Sequence, residues 1–273
     1  MDLYEDFTTP LGDRWQRYVK GVGKLEPGAS TLRFVLADAS SDRYSNAQID
    51  DYKGLPRRRF PWHPPLKLTV RARFSHATDE GATGLRGTAG FGFWNDPFLM
   101  TGARSPSLPR AIWFFYASPP SNMKLDLRVP GYGWKAATID ALRPAAFLLA
   151  PIAPLAALLM KIRPVYRVLW PPIQRAVNIR EAVIEADMTD WHTYVVEWGR
   201  ERASFKVDEK MVLSDAPSPR GPLGFVMWLD NQYMVVTPWG RFGWGVLDAP
   251  GREWMEVDWF AIELYQIGRS SQL

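Results

Sequence analysis

The sequence predicts an all-β protein, an antiparallel sandwich with one helical insertion, and three observations support this. Segments such as "TLRFVLA" and "LKLTVRARF" alternate apolar with polar residues, which is typical of strands with one buried face. Clusters of glycine, proline and small polar residues separate such segments about every ten residues, as in β-sandwiches. Between residues 128 and 187 the alternation gives way to helix-like patterns. We therefore expect residues 1–273 to form a single sandwich domain, interrupted at about 128–187.

The predicted strands fall into two halves on either side of the insertion. In the first half, residues 1–127, the glycine-punctuated segment "GTAGFGFWNDPF" is predicted to be a strand that ends in a turn at Asn95, Asp96 and Pro97. In the second half, which begins at Trp191, four more segments show strand patterns: "WHTYVVEW", "RASFKVDEKMVL", "LGFVMWLDNQYMVV" and "MEVDWFAIELYQ".

The insertion is centred on an apolar stretch, "AAFLLAPIAPLAALLM", at residues 145–160. Its sixteen residues carry no charge, but they are fewer than the ~20 that a membrane-spanning helix needs, and Pro151 and Pro154 interrupt them. A transmembrane span is therefore not predicted.

An amphipathic helix is predicted to follow this stretch. Arg163 and Arg167 are four residues apart. The residues predicted to lie towards the other side of such a helix are Val165, Val168 and Leu169. Three interpretations stay open: a helical hairpin packed on the sandwich, a lid over an apolar cavity, and peripheral membrane contact through residues 143–175, with arginines towards lipid phosphates. The apolar content exceeds what a plain connection requires, so we expect the insertion to cover apolar surface.

Composition narrows the classes of function. With 47% hydrophobic and 23% charged residues, 23 prolines and 21 glycines, the chain is typical of a globular, turn-rich protein. The absence of cysteine excludes disulfides, thiolate metal sites and cysteine catalysis. The sequence contains no metal-ligand spacing and no phosphate-binding glycine loop, so neither a metal nor a cofactor is predicted.

Charge and the first residues bear on partners and location. The net charge is +4 and the isoelectric point is near 9.3, yet basic and acidic residues mostly alternate. The one dense basic cluster, "PRRRFPW" at residues 56–62, is interpreted as a solvated proline-rich loop, so no nucleic-acid partner is predicted. The start, "MDLYEDFTTP", lacks the layout of a secretion signal, which favours a cytoplasmic location, with membrane association left open.

A resemblance to a known family rests on three stretches. "DWHTYVVEWGRERASFKVDEKMV", residues 190–212, resembles paired strands of the concanavalin A-like lectin and glucanase superfamily, especially family 16 glycoside hydrolases. "MEVDWFAIELYQ", residues 255–266, is similar to that family's closing strand, and "AGFGFWND" is similar to a strand that ends near Phe-Trp. The resemblance implies an antiparallel jelly roll of two curved sheets that binds ligands on its concave face.

One strand of this chain departs from the family pattern. In the family, the strand after the Phe-Trp strand carries carboxylates as E-x-D-x-E or E-x-D-x-x-E, which line the cleft for double-displacement hydrolysis. The corresponding segment here, "PRAIWFFYAS" at residues 109–118, contains no carboxylate. The family's positions fall either on Ile112, Phe114 and Tyr116 or on Ala111, Trp113 and Phe115. No catalytic residue is carried over, and classical retaining glycosidase activity is not expected.

Two other groups with catalytic potential are interpreted as structural. Glu256 and Asp258 begin the family's spacing, but Phe260 stands where the second Glu would be, and the segment already matches the closing strand. His192 belongs to the strand motif, where a structural hydrogen bond is expected.

Two similar stretches, "GFGFWND" and "GFVMWLDN", indicate a ligand site. Strand alternation predicts that Trp94 shares a face with Asp96, and that Trp228 shares a face with Asp230. Tryptophan rings stack on sugars or flat hydrocarbons, and carboxylates accept hydroxyl hydrogen bonds. The candidate ligand-binding residues are Trp94, Trp113, Tyr116, Trp228, Asn231, Tyr233, Trp239 and Trp244, and the weak catalytic candidates are Asp96 and Asp230. The alternative is that these tryptophans fill the core and the aspartates cap turns; Arg110 is a candidate partner for a buried Asp230.

The sequence therefore predicts a family 16-like fold without the glycosidase dyad. It is expected to bind an apolar or amphipathic molecule in a concave aromatic cleft covered by the insertion, and whether it also transforms that molecule stays open. Two alternative functions stay open as well. One is a carbohydrate-binding protein or divergent glycosidase with a glycan as ligand, and the other is a membrane-surface interaction module.

Overall fold

The computed structural model describes residues 3–78, 84–98, 105–144 and 153–264. The strands within these ranges are β1 Leu3–Glu5, β2 Gln16–Lys20, β3 Lys24–Pro27, β4 Leu32–Ala39, β5 Asn46–Asp50, β6 Leu66–Phe74, β7 Thr88–Trp94, β8 Arg110–Ala117, β9 Gly133–Asp140, β10 Arg180–Val183, β11 His192–Trp198, β12 Arg202–Val207, β13 Lys210–Pro217, β14 Gly224–Asp230, β15 Gln232–Val236, β16 Phe242–Val246 and β17 Ala249–Leu264. The helices are α1 Ala153–Leu159 and α2 Arg163–Ala176, and a short 3-10 helix spans Arg57–Arg59.

Two antiparallel sheets form the body of the molecule. Sheet 1 has the order β13-β12-β11-β6-β17-β4-β3, with β1 also paired to β17, and sheet 2 has the order β10-β9-β8-β7-β14-β5-β2. Strands β15 and β16 pair only with each other and form a hairpin. Strand β14 lies between β7 and β5, so the two halves of the chain interleave within sheet 2. This arrangement confirms the predicted antiparallel jelly-roll sandwich with a helical insertion.

The main core lies between the two sheets. Phe91 of β7 and Phe114 of β8, both in sheet 2, contact Tyr194 of sheet 1 at ring-centroid distances of 5.2 and 5.1 Å. All three side chains are fully buried. Because side chains alternate along a strand, the residues between these core positions point away from sheet 1. They form the outer face of sheet 2, which positions the candidate site.

The insertion is narrower than the predicted range of 128–187. Gly133–Asp140 and Arg180–Val183 fall inside that range, yet they are strands β9 and β10, which pair with each other and extend sheet 2 beyond β8. The segment "GWKAATID" of β9 is largely buried on both faces. It therefore lacks the apolar-polar alternation that identifies a half-exposed strand, and this explains the wrong boundary.

Helix α2 is the predicted amphipathic helix. Tyr166, Leu169, Trp170 and Ile173 recur at helical spacing and pack on the same apolar cluster. Val168, which the sequence pattern placed with Leu169, is instead exposed. No helix in the described ranges is long and apolar enough to cross a bilayer. Residues 145–152 of the predicted apolar stretch lie outside those ranges.

Candidate functional site

Strand β8 presents one set of alternating residues to each face of sheet 2. Ile112, Phe114 and Tyr116 point into the core between the sheets. The outer face receives the other set, Ala111, Trp113 and Phe115. The structure therefore selects the second of the two registers that the sequence left open. The side chains at the three outer positions are one methyl group and two aromatic rings.

Four rings form a continuous aromatic platform on this face: Trp94, Trp113, Phe115 and Trp228. The ring of Trp113 lies 5.8 Å from that of Trp94, 5.3 Å from Phe115 and 5.4 Å from Trp228, measured between centroids. Phe115 and Trp228 are 5.8 Å apart. Aromatic pairs at such distances gain about 0.5–1.5 kcal/mol each beyond the burial of their area. The platform is therefore preformed by contacts among its own rings.

Two glycines of β7 make room for the platform. Gly90 and Gly92 occupy outer positions of β7, which lies between β8 and β14. A Cβ atom at Gly90 would lie 3.0 Å from Cη2 of Trp228, and one at Gly92 would lie 2.6 Å from Cβ of Trp113. The same atoms would lie 2.3 Å from the carbonyl oxygen of Phe114 and 2.5 Å from that of Ile112, so any side chain at these positions would displace strand β8 as well as the rings. The "GFGFW" pattern thus supplies phenylalanines to the core and a bare strip beneath the platform.

The platform is the floor of a cleft of about 590 Å³. One wall is the β15–β16 hairpin, from which Tyr233 and Trp244 line the cleft. Another part of the lining consists of Leu125, Ile139 and Ile179, which also belong to the apolar cluster formed with α1 and α2. The insertion therefore buttresses one wall of an apolar cleft.

One aromatic contact joins the two strands of the hairpin, and a second joins the hairpin to helix α2. The Tyr233 ring lies over Gly245 of the paired strand, where an added Cβ would come within 2.6 Å of Cε1 of the tyrosine. Trp239, in the hairpin turn, contacts Tyr166 of α2 with ring centroids 5.1 Å apart. Trp239 is therefore placed at the joint between hairpin and helix rather than in the lining of the cleft.

The indole nitrogens of the two buried platform tryptophans have hydrogen-bond partners outside the cleft floor. Trp94 Nε1 donates to the hydroxyl of Tyr52 at 2.5 Å, and Trp228 Nε1 donates to Oγ1 of Thr88 at 2.9 Å. These bonds fix the orientation of both rings and leave their apolar surfaces for the cleft.

Asp230 lies at a polar end of the cleft and shares a face with Trp228, as strand alternation predicted. Its Oδ1 accepts hydrogen bonds from Oγ1 of Thr88 at 2.7 Å and from the backbone N–H of Gln232 at 3.0 Å. Burial raises the pKa of Asp230 to about 6, against the opposing effect of these hydrogen bonds. The carboxyl group is thus held in place from two sides.

The expected pairing of Asp230 with Arg110 is wrong. Arg110 Nε donates instead to Oδ1 of Asp140 at 3.1 Å, and Asp140 also binds Arg220 at 3.2 Å. Arginine and aspartate stand opposite each other on the neighbouring strands β8 and β9, so this pair forms without crossing the sheet.

A second carboxylate, Glu181 of β10, lines the far side of the cleft. Its Oε1 accepts a hydrogen bond from Nζ of Lys135 at 3.1 Å, and its Oε2 accepts one from the backbone N–H of Asp126 at 3.2 Å. Both members of the Lys135–Glu181 ion pair are buried. Burial raises the pKa of Glu181, while the neighbouring lysine acts in the opposite direction.

The two carboxylates that line the cleft are too far apart to act on one glycosidic bond. Strand pairing puts Glu181 level with Val226, four strands away, and Asp230 follows Val226 by four residues. With about 4.8 Å between strands and 3.3 Å per residue, their Cα atoms are roughly 23 Å apart along the sheet. Paired glycosidase carboxylates require about 5–10 Å.

Asp96 does not share the face of Trp94. Strand β7 ends at Trp94, and Asp96 has a φ of 44°, in the left-handed region, so strand alternation no longer applies to it. It is buried and lies outside the lining of the cleft. Arg57 donates to the backbone carbonyls of Asn95 and Asp96, each at 2.7 Å. This member of the basic cluster therefore anchors the turn after β7 instead of being solvated.

Two further candidates belong to the framework. Tyr116 lies in the core, where its hydroxyl donates to the carbonyl of Leu85 at 2.7 Å, because it alternates with the outer residues of β8. Asn231 is fully buried, and its Nδ2 donates to the carbonyls of Ser40 and Leu247 at 3.1 and 3.0 Å. Asn231 thus ties together chain segments that lie outside the cleft.

The groups interpreted as structural occupy sheet 1 or its loops. Glu256 forms ion pairs with Arg33 at 3.0 Å and with Arg73 at 2.8 Å, away from the cleft. His192 Nε2 is 2.8 Å from the carbonyl of Asp187, and its Nδ1 contacts the carboxylate of Asp208. Among the described residues, no three His, Asp or Glu side chains are grouped as metal ligands would be.

Sequence reasoning missed several residues of the cleft. Phe115 was identifiable, because it alternates with Trp113 on β8. No sequence pattern identified Gln48, Thr88, Leu125, Ile139 or Ile179, which also line the cleft. They come from separate segments that only the packing of the chain brings together.

Comparisons with known proteins give the fold a context. No protein-family model and no curated protein matches the chain. A prokaryotic β-1,3-1,4-glucanase (lichenase) derived from a mouse hindgut metagenome aligns with a TM-score of 0.52 at 15% identity, over 97% of this chain and 99% of that one. A pseudo β-1,3-glucanase and immunostimulatory antigen of Mycobacterium tuberculosis aligns with a TM-score of 0.50 at 14% identity, over 97% and 98% of the two chains.

A transglycosylase, Crh5, solved in complex with NAG, aligns with a TM-score of 0.50 at 12% identity, over 97% of this chain and 84% of that one. Identities this low establish the fold and not the activity. The chain therefore shares the jelly-roll fold of these solved proteins, as the sequence resemblance implied.

Proposed function

We propose that the chain binds an apolar or amphipathic molecule in the cleft above the aromatic platform. The observation that carries this proposal is the set of rings on the outer face of sheet 2, where Trp113 and Phe115 of β8 meet Trp228 of β14. Ring faces bury flat hydrocarbon with little loss of conformational entropy, because the side chains are already held by one another. The cleft volume of about 590 Å³ lies within the range of small-molecule sites.

The distribution of polar groups favours an amphipathic ligand over a purely apolar one. Thr88, Asp230 and Gln232 line one end of the cleft and are linked by hydrogen bonds. Leu125, Ile139 and Ile179, elsewhere in the lining, are apolar, and the carboxylate of Glu181 near them is already paired with Lys135. A ligand with a hydroxyl-bearing end towards Asp230 and its hydrocarbon across the platform would satisfy both regions.

Peripheral membrane contact through residues 143–175 is part of this proposal, since amphipathic molecules of this kind partition into bilayers. The segment carries Arg163, Arg167 and Arg175 and exposes apolar side chains of α1. The cytoplasmic location stays a prediction.

The test is native mass spectrometry of the full chain purified from cells, before and after extraction with organic solvent. We expect an added mass that extraction removes, and that is strongly reduced in the double variant Trp113→Ala, Phe115→Ala. Met211→Ala, at an exposed apolar site on sheet 1, is the matched control and should retain the added mass. A chain that carries no added mass and shows no binding of anilinonaphthalene sulfonate would contradict the proposal.

The second candidate function is glycan binding. It is favoured by the fold, which is shared with a lichenase and with a transglycosylase solved in complex with NAG. Tryptophan faces of the platform also suit sugar rings. Calorimetric titration with mixed-linkage β-glucan oligosaccharides and with N-acetylglucosamine oligomers distinguishes the two. Saturable binding that Trp228→Ala abolishes, without any co-purifying lipid, would favour the glycan ligand.

A further inference from the structure

Two elements that pack around the cleft, α1 and strand β16, carry apolar side chains that face solvent. On α1 and just after it, Leu155, Leu158 and Ile162 are spaced as one side of a helix and are exposed. On β16 of the hairpin, Phe242 and Trp244 line the cleft and are 68% and 66% exposed. Single exposed apolar residues are normal, but a cluster of this kind marks an interaction surface.

Helix α1 exposes its larger apolar side chains, whereas a surface helix ordinarily buries them. Its described inward contacts are made by Ala156 and Met160, which join the apolar cluster behind the cleft wall. Its larger side chains, Leu155 and Leu158, are 60% and 61% exposed. Packing on the sandwich therefore explains the orientation of the smaller side chains, and the leucine side of the helix has no partner among the residues that the structure describes.

The turn of the β15–β16 hairpin lies next to α2 and to the residue that joins α2 to α1. Trp239 of the hairpin turn contacts Tyr166 of α2 with ring centroids 5.1 Å apart. An added Cβ at Gly240 would lie 4.0 Å from Cε of Lys161, the residue between α1 and α2. The exposed leucines and the exposed hairpin rings thus belong to elements that meet beside the opening of the cleft.

The charge of these elements is entirely of one sign. Residues 141–180 contain no Asp or Glu and six cations, which are Arg143, Lys161, Arg163, Arg167, Arg175 and Arg180. Residues 231–247, which include the hairpin, contain no acid and one cation, Arg241. In the chain as a whole, 29 acids nearly balance 33 Lys and Arg residues. Apolar side chains flanked by cations match the interface of an anionic bilayer, where hydrocarbon lies beneath phosphates.

We propose that α1 and the tip of the β15–β16 hairpin form one docking surface for an anionic lipid membrane, with the mouth of the cleft against the bilayer. The exposed side chains of α1 and β16 enter the interface, and Lys161, Arg163, Arg167 and Arg241 contact lipid phosphates. The docking surface extends the proposed function. Only one consequence rests on that function, namely that the amphipathic ligand enters the cleft from the membrane. The docking itself does not depend on a ligand.

Vesicle co-sedimentation of the full chain tests the docking. Vesicles of phosphatidylcholine with phosphatidylglycerol should bind the protein, and vesicles of phosphatidylcholine alone should bind it much more weakly. Each cation lost from the surface should lower the partition by about fivefold, so that Arg163→Glu with Arg167→Glu gives a large loss. Added salt should weaken binding, because it screens exposed charges.

The apolar contribution is tested with two serine pairs, Leu155→Ser with Leu158→Ser, and Phe242→Ser with Trp244→Ser. Each pair should reduce binding to anionic vesicles while leaving the melting temperature unchanged, because the side chains are exposed. Arg17→Glu and Met211→Ser, at exposed sites away from the mouth, are matched controls that should bind normally.

Three outcomes would overturn the docking surface. One is no binding to anionic vesicles, and another is an equal loss in the control variants. The third is a dimer in solution that the Leu155→Ser, Leu158→Ser pair dissociates, because a second copy of the chain would then cover the leucines. Dye binding in the cleft is measured separately without vesicles, so vesicle binding without dye binding would refute the ligand function and leave the docking surface standing.

Discussion

The ring of Trp113 meets the ring of Trp228 at 5.4 Å although the two residues lie on strands that are not neighbours. Strand β7 runs between them and carries only glycine at these two levels, with Gly92 opposite Trp113 and Gly90 opposite Trp228. The rings therefore lean over the glycines and close into one surface. This relationship makes the platform sensitive to changes at both the rings and the glycines.

Replacing Trp113 should affect binding more than stability. Trp113→Ala removes the centre of the platform, and we expect the affinity for anilinonaphthalene sulfonate to fall by about tenfold, the loss of one aromatic contact. Phe114→Ala, the next residue, is the matched core variant and should lower the free energy of unfolding by about 3–5 kcal/mol. Urea unfolding and dye titration of both variants check this. A larger stability loss in Trp113→Ala than in Phe114→Ala would place Trp113 in the core.

A methyl group on β7 should disturb the platform. Gly92→Ala puts a Cβ 2.5 Å from the carbonyl oxygen of Ile112 and 2.6 Å from Cα and Cβ of Trp113. Because β8 and the Trp113 ring must both shift, we expect a loss of about 1–3 kcal/mol in unfolding free energy and a shifted tryptophan emission spectrum. Gly12→Ala is the control, since a Cβ there meets nothing within 4 Å. Unchanged emission and stability in Gly92→Ala would mean that the rings do not rest on this strip.

Asp230 should make the fold less stable as pH rises. Its pKa is about 6 in the folded chain and 3.8 in the unfolded reference, so its contribution is complete below about pH 4 and is lost as pH rises through about 6. Between pH 4 and 8, the free energy of unfolding of the unsubstituted chain should fall by about 1–3 kcal/mol more than that of the Asp230→Asn variant. Urea unfolding of both proteins measures the difference, in which all other titrations cancel. Parallel pH profiles would show that Asp230 is not desolvated.

The chain should not hydrolyse β-glucans. Glu181 and Asp230 are too far apart for a shared bond, and the outer positions of β8 carry no acid. We expect no reducing sugar from laminarin or lichenan. Placing acids on β8 with Ala111→Glu and Phe115→Glu should not create activity, because buried unpaired carboxyls stay protonated. Sugar release that disappears in Asp230→Asn or Glu181→Gln would refute this prediction.

The sequence by itself determined the strand pattern and much of the floor of the cleft. Alternation along "LGFVMWLDN" places Trp228 and Asp230 on one face, and this follows from strand geometry alone. The lack of acids in "PRAIWFFYAS" holds in either register, so the apolar character of β8 needed no structure. Local rules were sufficient wherever a property depended on neighbours along one strand.

Only the tertiary structure decided which face of β8 meets the core and which residues surround the cleft. The two sets of alternating residues on β8 are equally hydrophobic, so the sequence does not show which set faces the core. The packing of Phe114 against Tyr194 of the other sheet decides it. Asp96 does not lie on the predicted face, because its own backbone is in the left-handed region. Arg110 forms its ion pair with Asp140 on a neighbouring strand. Such partners come from distant segments, and their contacts form only when the whole chain buries its apolar surface between the two sheets.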